Sequence, residues 1–171
     1  ALESPGCALL LALLTLGPLA CRGSTVTLGF ESTSPAGVST GSGGSGAAPC
    51  PFDRRSGSTP SSDTGPSSGY GGSGTYFYYA EVSETGNGGY AACQAEDDLF
   101  DLSYDGSGCS VDGKIIGTID LKYHMYGTNI GTLRVLDAAG LQKWSLSGDQ
   151  GNLWQSTSID VESTSFRIEY A

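Results

Sequence analysis

The chain is short of basic charge, of histidine and of anything helical. Eight Lys and Arg stand against 18 Asp and Glu, for a net charge of -10. Nucleic-acid phosphates need clustered Lys and Arg, and anionic lipid headgroups attract the same cations, so both partner classes are excluded. The acidity reads as solubility, with cation binding as the sharper alternative. No CxxC pair occurs among Cys7, Cys21, Cys50, Cys93 and Cys109, which argues against a zinc site and leaves disulfides of an exported chain. Hydrophobic residues make up only 38% of the chain, and the front half is the polar half. The longest apolar run, ALLLALLTLGPLA at 8–20, is too short to cross a bilayer, which takes about 20 residues. No stretch after residue 24 holds helical periodicity, and no internal repeat occurs.

What is present is alternation. From Ile119 to Tyr126 the chain reads IDLKYHMY. Ile119, Leu121, Tyr123 and Met125 fall on one side, and Asp120, Lys122, His124 and Tyr126 on the other. Strand side chains alternate between faces, so this predicts a strand with one buried face. Gly127 to Gly131 breaks it, and Thr132–Leu136 resumes it. Asp137 to Gly140 predicts a tight turn, and Leu141–Leu146 a further strand carrying Trp144. The whole run to Trp154 reads as an antiparallel meander.

Elsewhere the signals are shorter. Ser24–Phe30 alternates weakly. Residues 32–49 have spacer composition, with a lone Val38. Residues 52–74 are turn chemistry throughout and are expected to wrap over a core. The aromatic stretch Thr75–Ser83 needs cover on both faces and reads as a central strand. Leu99–Leu102, Ser158–Val161 and Ser165–Tyr170 complete the set, with Phe166, Ile168 and Tyr170 inward and Arg167 and Glu169 toward water. Many short strands separated by turns predict an all-β sandwich. The run at 8–20 suits the hydrophobic part of a signal peptide, so residues 1–23 are set apart from the domain at 24–171. A lipoprotein signal and an internal apolar segment are the alternative readings. Cys93 and Cys109 enclose a short loop around Leu99–Leu102, and a bridge between them would stabilise by roughly 3 kcal/mol. Cys50 would then be unpaired or joined to another chain. The alternative is that Cys93 is a buried thiol.

The ordered pieces FDRRSGSTPSSDTGPSSG, GTYFYYAEVS, LKYHMYGTNIGTLRVL, KWSLSGDQGNLWQSTSIDV and SFRIEY resemble the MAM domain, the module named after meprin, a neuropilin antigen and the mu receptor tyrosine phosphatase. The likeness runs from Phe52 to Tyr170. It implies a jelly-roll-like sandwich of two antiparallel sheets. It also implies a non-catalytic extracellular module for adhesion, oligomerisation or partner recognition, secreted or at a cell surface. Thr118 stands where animal members usually carry Cys, and Arg54–Arg55 where a Trp is expected. This chain therefore looks more like the Cys-poor MAM domains of secreted bacterial or protist proteins. The resemblance further implies one structural cation, calcium or sodium, near the first strand, at positions matching Glu31 and Asp53.

No residue is assigned a catalytic role. His124 has no marked serine or ordered acid to complete a triad, and the carboxylates carry no motif of a glycoside hydrolase. The acidic run Glu96–Asp97–Asp98 reads as a solvated loop. The expected partner is a protein or a second copy of the chain, and membrane association would come only through a flanking segment. A glycan is the rival partner, because Trp144, Trp154, Tyr76 and Tyr78 could stack on a sugar ring, and an accessory domain of a secreted peptidase is the third reading. A sugar binder should expose such rings, whereas a protein-recognition module should bury them.

Overall fold

The structure is a computed structural model. It describes residues 15–21, 24–27, 30–31, 35–42, 49–82, 93, 98–109 and 115–171; for 15–20 and 24–27 the backbone alone is described. Residues 1–14 with Cys7, the acidic pair Glu96–Asp97 and part of the 32–49 spacer lie outside that set.

Twelve strands form an all-β, jelly-roll-like sandwich. They are β1 (Thr15–Cys21), β2 (Ser24–Thr27), β3 (Val38–Thr40), β4 (Cys50–Pro51), β5 (Asp53–Ser56) and β6 (Tyr76–Tyr79), then β7 (Phe100–Tyr104), β8 (Ile116–Tyr123), β9 (Thr132–Asp137), β10 (Gln142–Ser147), β11 (Gln155–Ser163) and β12 (Phe166–Tyr170). One sheet has the order β11-β8-β1-β2 and the other β10-β9-β12-β7-β3. All of these pairings are antiparallel; the two-residue β4 joins β7 in parallel. The strands β5 and β6 form a separate antiparallel ribbon.

The alternation read from the sequence sets the core. Ile119, Leu121 and Met125 are fully buried, as are Leu133 and Val135 from β9 and Ile168 from β12. In the larger sheet Ile168 pairs with Leu102 on one side and Val135 on the other. Tyr170 pairs with Phe100 and Leu133, so each inward row is continuous across three strands. Each such side chain removed from water contributes about 1.5–3 kcal/mol.

Several expectations change. The Ile119–Trp154 run is not a single meander. β8 belongs to one sheet and β9 to the other, and only β9 and β10 form a hairpin. Residues 124–131 cross between layers that stack about 10 Å apart, a span a tight hairpin turn could not cover. Tyr76–Tyr79 is not central in a large sheet but half of a two-stranded ribbon. Its two faces are nevertheless largely covered, with Phe77, Tyr78 and Tyr79 all buried. The spacer contains a strand: Val38 pairs with Tyr104 and packs against the core, so one apolar residue is enough to dock three. The apolar run at 8–20 overlaps β1, which lies between β8 and β2. A run that is apolar on both sides of the alternation suits an interior strand as well as a leader.

The expected Cys93–Cys109 bridge is corrected. Cys21 is joined to Cys109 and Cys50 to Cys93. All four cysteines are buried. Short sequence spacing misled the pairing; β1 and β4 bring distant cysteines to the two ends of the 93–109 loop.

Candidate interaction surface

The segment 57–75 has almost no apolar side chains, yet it is fastened to the end of the sandwich by polar contacts. Thr64 donates its hydroxyl to the Tyr126 carbonyl at 2.8 Å, and the Gly65 N–H donates to the same oxygen at 3.1 Å. The Trp154 indole N–H donates to the Ser68 carbonyl at 3.0 Å. Thr59 donates to the Thr64 carbonyl at 3.0 Å and closes the loop on itself. Tyr70 then stands out from the surface at 51% exposure, with its ring edge-on to Trp154 at 6.0 Å. The Lys122 ammonium lies 5.2 Å from the centre of the Tyr70 ring. Leu153, next to Trp154, is 71% exposed. Tyr70, Trp154 and Lys122 thus make an aromatic patch with one cation on an otherwise acidic chain.

Of the other rings, Tyr78 is buried and Tyr76 and Trp144 are half-buried. Tyr78 is buried edge-on to Phe30 at 4.8 Å, and Trp144 packs tilted against Tyr123 at 5.5 Å. Tyr76 lies beneath the Arg54 guanidinium. Trp154 also meets Phe77 and His124. Of the four rings considered for sugar stacking, none is fully exposed.

Alternation puts His124 on the polar face and Tyr123 on the buried one, but β8 ends at Tyr123, which is only half-buried, and His124, just past it, is buried. Its Nε2 is 3.2 Å from Asn152 Oδ1, and its Nδ1 has no hydrogen-bond partner among the described residues. Burial pushes its pKa down, opposed by the Asn152 hydrogen bond and the Asp149 charge. Its ring neighbours are Trp154 and Tyr126. The Asp149 carboxylate serves the backbone instead, accepting from Gly127 and Gly151 N–H groups at 3.3 and 3.0 Å.

On the outer face of the larger sheet, Glu169 is held between two arginines. Its Oε2 meets Arg134 Nε and its Oε1 meets Arg167 Nε, each at 2.7 Å. Arg167 also reaches Asp101 at 3.5 Å. Alternation alone points Glu169 toward water, but its carboxylate is almost fully covered by these partners. Burial raises the Asp101 pKa, against the Ser103 hydrogen bond and the Arg167 charge, with Glu169 adding to the rise. Beside this network is a shallow open cleft of about 200 Å³ lined by Ser39, Ser103, Asp105, Asp137 and Arg167 among others. Small-molecule sites usually enclose roughly 300–1,000 Å³.

The two positions matched to a cation are not brought together. Glu31 is exposed, and its Oε1 accepts the Tyr76 backbone N–H at 3.0 Å. Asp53 lies on the opposite face of the ribbon, where its charge and that of Glu81 add to the burial that pushes Tyr79 up to about 12. The neighbouring Arg54, which in the sequence marks only a departure from the family pattern, holds the Phe30–Glu31 turn. It donates from Nε to the Phe30 carbonyl at 2.6 Å and from Nη2 to the Glu31 carbonyl at 2.7 Å. Its only sequence signal is a cation directly after the Phe52-Asp53 pair. Among the described residues, no group of three or more His, Cys, Asp or Glu side chains is placed to hold a metal ion.

Comparison with known proteins gives partial matches. A segment of this chain is 41% identical over 49 residues to MAM domain-containing glycosylphosphatidylinositol anchor protein 1 of Gallus gallus, covering 25% of this chain and 5% of that protein. The protein of the same name from Homo sapiens is 42% identical over 45 residues, covering 23% of this chain and 5% of its own length. The chain thus spans a small part of the curated relatives it matches. No family model matches it, and no solved structure does. The similarity supports a MAM-like relationship over the matched segment.

Proposed function

We propose that this chain is a non-catalytic, MAM-like recognition module of a secreted or cell-surface protein, and that its partner is another protein or a second copy of itself. The observation that carries this reading is the fate of the aromatics. Tyr78 is buried, and Tyr76, Trp144 and Trp154 are half-buried against Arg54, Tyr123 and Phe77, so these four rings offer no open coplanar platform for a sugar. The two disulfides fit an oxidising compartment, and the partial likeness to a surface-anchored MAM protein points the same way. Tyr70, Lys122 and the edge of Trp154 form the contact patch, because exposed Tyr beside Trp on a fastened loop is the composition of binding hot spots.

The test uses the oxidised full chain on beads. Bead aggregation, or saturable capture of one surface protein, that Tyr70→Ala weakens at least tenfold supports the reading. Saturable binding on a glycan panel, with beads dispersed and no protein captured, overturns it in favour of a carbohydrate-binding module.

A further inference from the structure

The turn at Phe30–Glu31 gathers oxygen atoms at one corner of the sandwich. Two successive backbone carbonyls, of Phe30 and Glu31, meet one guanidinium, and the Glu31 carboxylate is on the same turn. Carbonyls plus a carboxylate are the donor set a hard metal ion takes. Here the spot is filled from within. The Arg54 guanidinium donates to both carbonyls, at 2.6 and 2.7 Å. Its flat face lies 3.5 Å above the Tyr76 ring centre. Glu31 turns its carboxylate to the Tyr76 N–H. The turn is thus tied to the β5–β6 ribbon three ways: two carbonyls to Arg54, the carboxylate to Tyr76, and the buried Phe30 ring against Tyr78.

We propose that the Arg54 guanidinium is the resident cation of this corner, doing the work of a structural metal ion, so that the domain folds without calcium or sodium. The donor atoms argue for it. A metal ion needs the Phe30 and Glu31 oxygens that the guanidinium fork already holds. It would also sit beside a permanent positive charge, because arginine does not deprotonate in proteins. Asp53, which could have added a second carboxylate, is on the far face of the ribbon. The planar fork matters as much as the charge. Lysine is a point charge and could not bond both carbonyls while stacking on Tyr76.

Thermal unfolding of the full oxidised chain tests this, with calcium chloride compared against sodium and magnesium chloride at equal ionic strength. The wild type should melt at one temperature in chelator and in 5 mM-scale calcium, about 1 °C being the tolerance. Arg54→Ser should melt about 5–10 °C lower, as expected for losing two hydrogen bonds from a charged donor. Calcium should then raise the Arg54→Ser midpoint by at least about 3 °C, because the freed oxygens can now take a metal. Arg54→Lys keeps the charge and should not respond. A wild type stabilised by calcium and weakened by chelator overturns the proposal. So does an Arg54→Ser chain that is as stable as wild type, or one that is destabilised and deaf to calcium. If Arg54→Ser does not fold, terbium luminescence on the wild type decides: no saturable binding supports the proposal, and saturable binding that calcium displaces overturns it.

Discussion

Breaking the outer disulfide should cost less than its length suggests. Cys21–Cys109 closes 88 residues and Cys50–Cys93 closes 43 within them. Taken alone, loop closure in the unfolded chain gives about 4.6 kcal/mol for the first and about 4.0 kcal/mol for the second. The bridges are nested, however. With the inner one intact, the 43 residues it spans no longer add to the outer loop, leaving about 45 of the 88 to close. Losing the outer bridge then costs about 4.0 kcal/mol, whereas losing the inner one from the chain that keeps the outer costs about 3.4 kcal/mol. For a slope of about 2 kcal/mol/M, Cys21→Ser/Cys109→Ser should therefore shift the urea midpoint by about 2 M and Cys50→Ser/Cys93→Ser by about 1.7 M. Together the bridges supply about 8 kcal/mol, against a whole-domain stability of about 5–15 kcal/mol. The quadruple variant should therefore keep at most about 7 kcal/mol, with a urea midpoint about 4 M below wild type. Single variants report the pairing: Cys21→Ser and Cys109→Ser should each cost nearly as much as their double. If Cys93→Ser and Cys109→Ser behave as the non-additive pair, those two are joined to each other and the nesting is refuted. A non-reducing peptide map reads the same connectivity directly.

The buried His124 makes stability pH-dependent. Its folded pKa lies below the unfolded value, so the unfolded chain takes up the proton first. Its contribution is intact above about pH 6.5 and is lost as pH falls below that, until the folded pKa is passed. His124→Gln should flatten the urea midpoint between pH 5 and 7; an unchanged slope refutes the assignment. Glu169→Gln removes the carboxylate that Arg134 and Arg167 share. It should lower stability by about 2 kcal/mol, with part of the loss matched in wild type by high salt. Gly106 and Gly148 both have positive φ, at 77° and 76°. A Cβ at Gly106 would collide with the Thr164 carbonyl, whereas Gly148 faces open space. Gly148→Ala should cost about 1 kcal/mol and Gly106→Ala at least about 3 kcal/mol, measured by denaturant unfolding.

The core was legible because period-two patterns carry their own geometry. Alternation alone turns Phe166, Ile168 and Tyr170 inward, and they are buried. Sheet membership was less legible. Nothing local to Gly127–Gly131 says whether the chain turns back in its own sheet or crosses to the other, because both need the same permissive residues. Cysteine pairing failed for a related reason. Partners at 88 and 43 residues' separation are set by topology, and spacing along the chain carries no trace of it. Glu169 looks solvent-facing by alternation; its burial comes from Arg134 on a neighbouring strand, which only the register supplies.

The same topology explains how so polar a front half can stay in place. Segments with few apolar side chains cannot offset their ordering entropy by burial. Three such segments among the described residues are instead fastened at a point. The first turn is held by Arg54, the start of β4 by the bridge from Cys50, and the wrap at 57–75 by Tyr126 and Trp154. Fastening has a consequence for binding. A loop already ordered before contact loses little freedom on association, so more of the interaction energy appears as affinity. Tyr70 sits in the segment held this way, 6.0 Å from the tryptophan whose indole anchors it. Freeing the anchor while leaving Tyr70 in place should then weaken partner capture. Trp154→Phe keeps a ring against Phe77 but loses the N–H to Ser68. If capture by Trp154→Phe matches wild type while Tyr70→Ala abolishes it, the patch binds without needing its fastening, and preordering is not what gives it affinity.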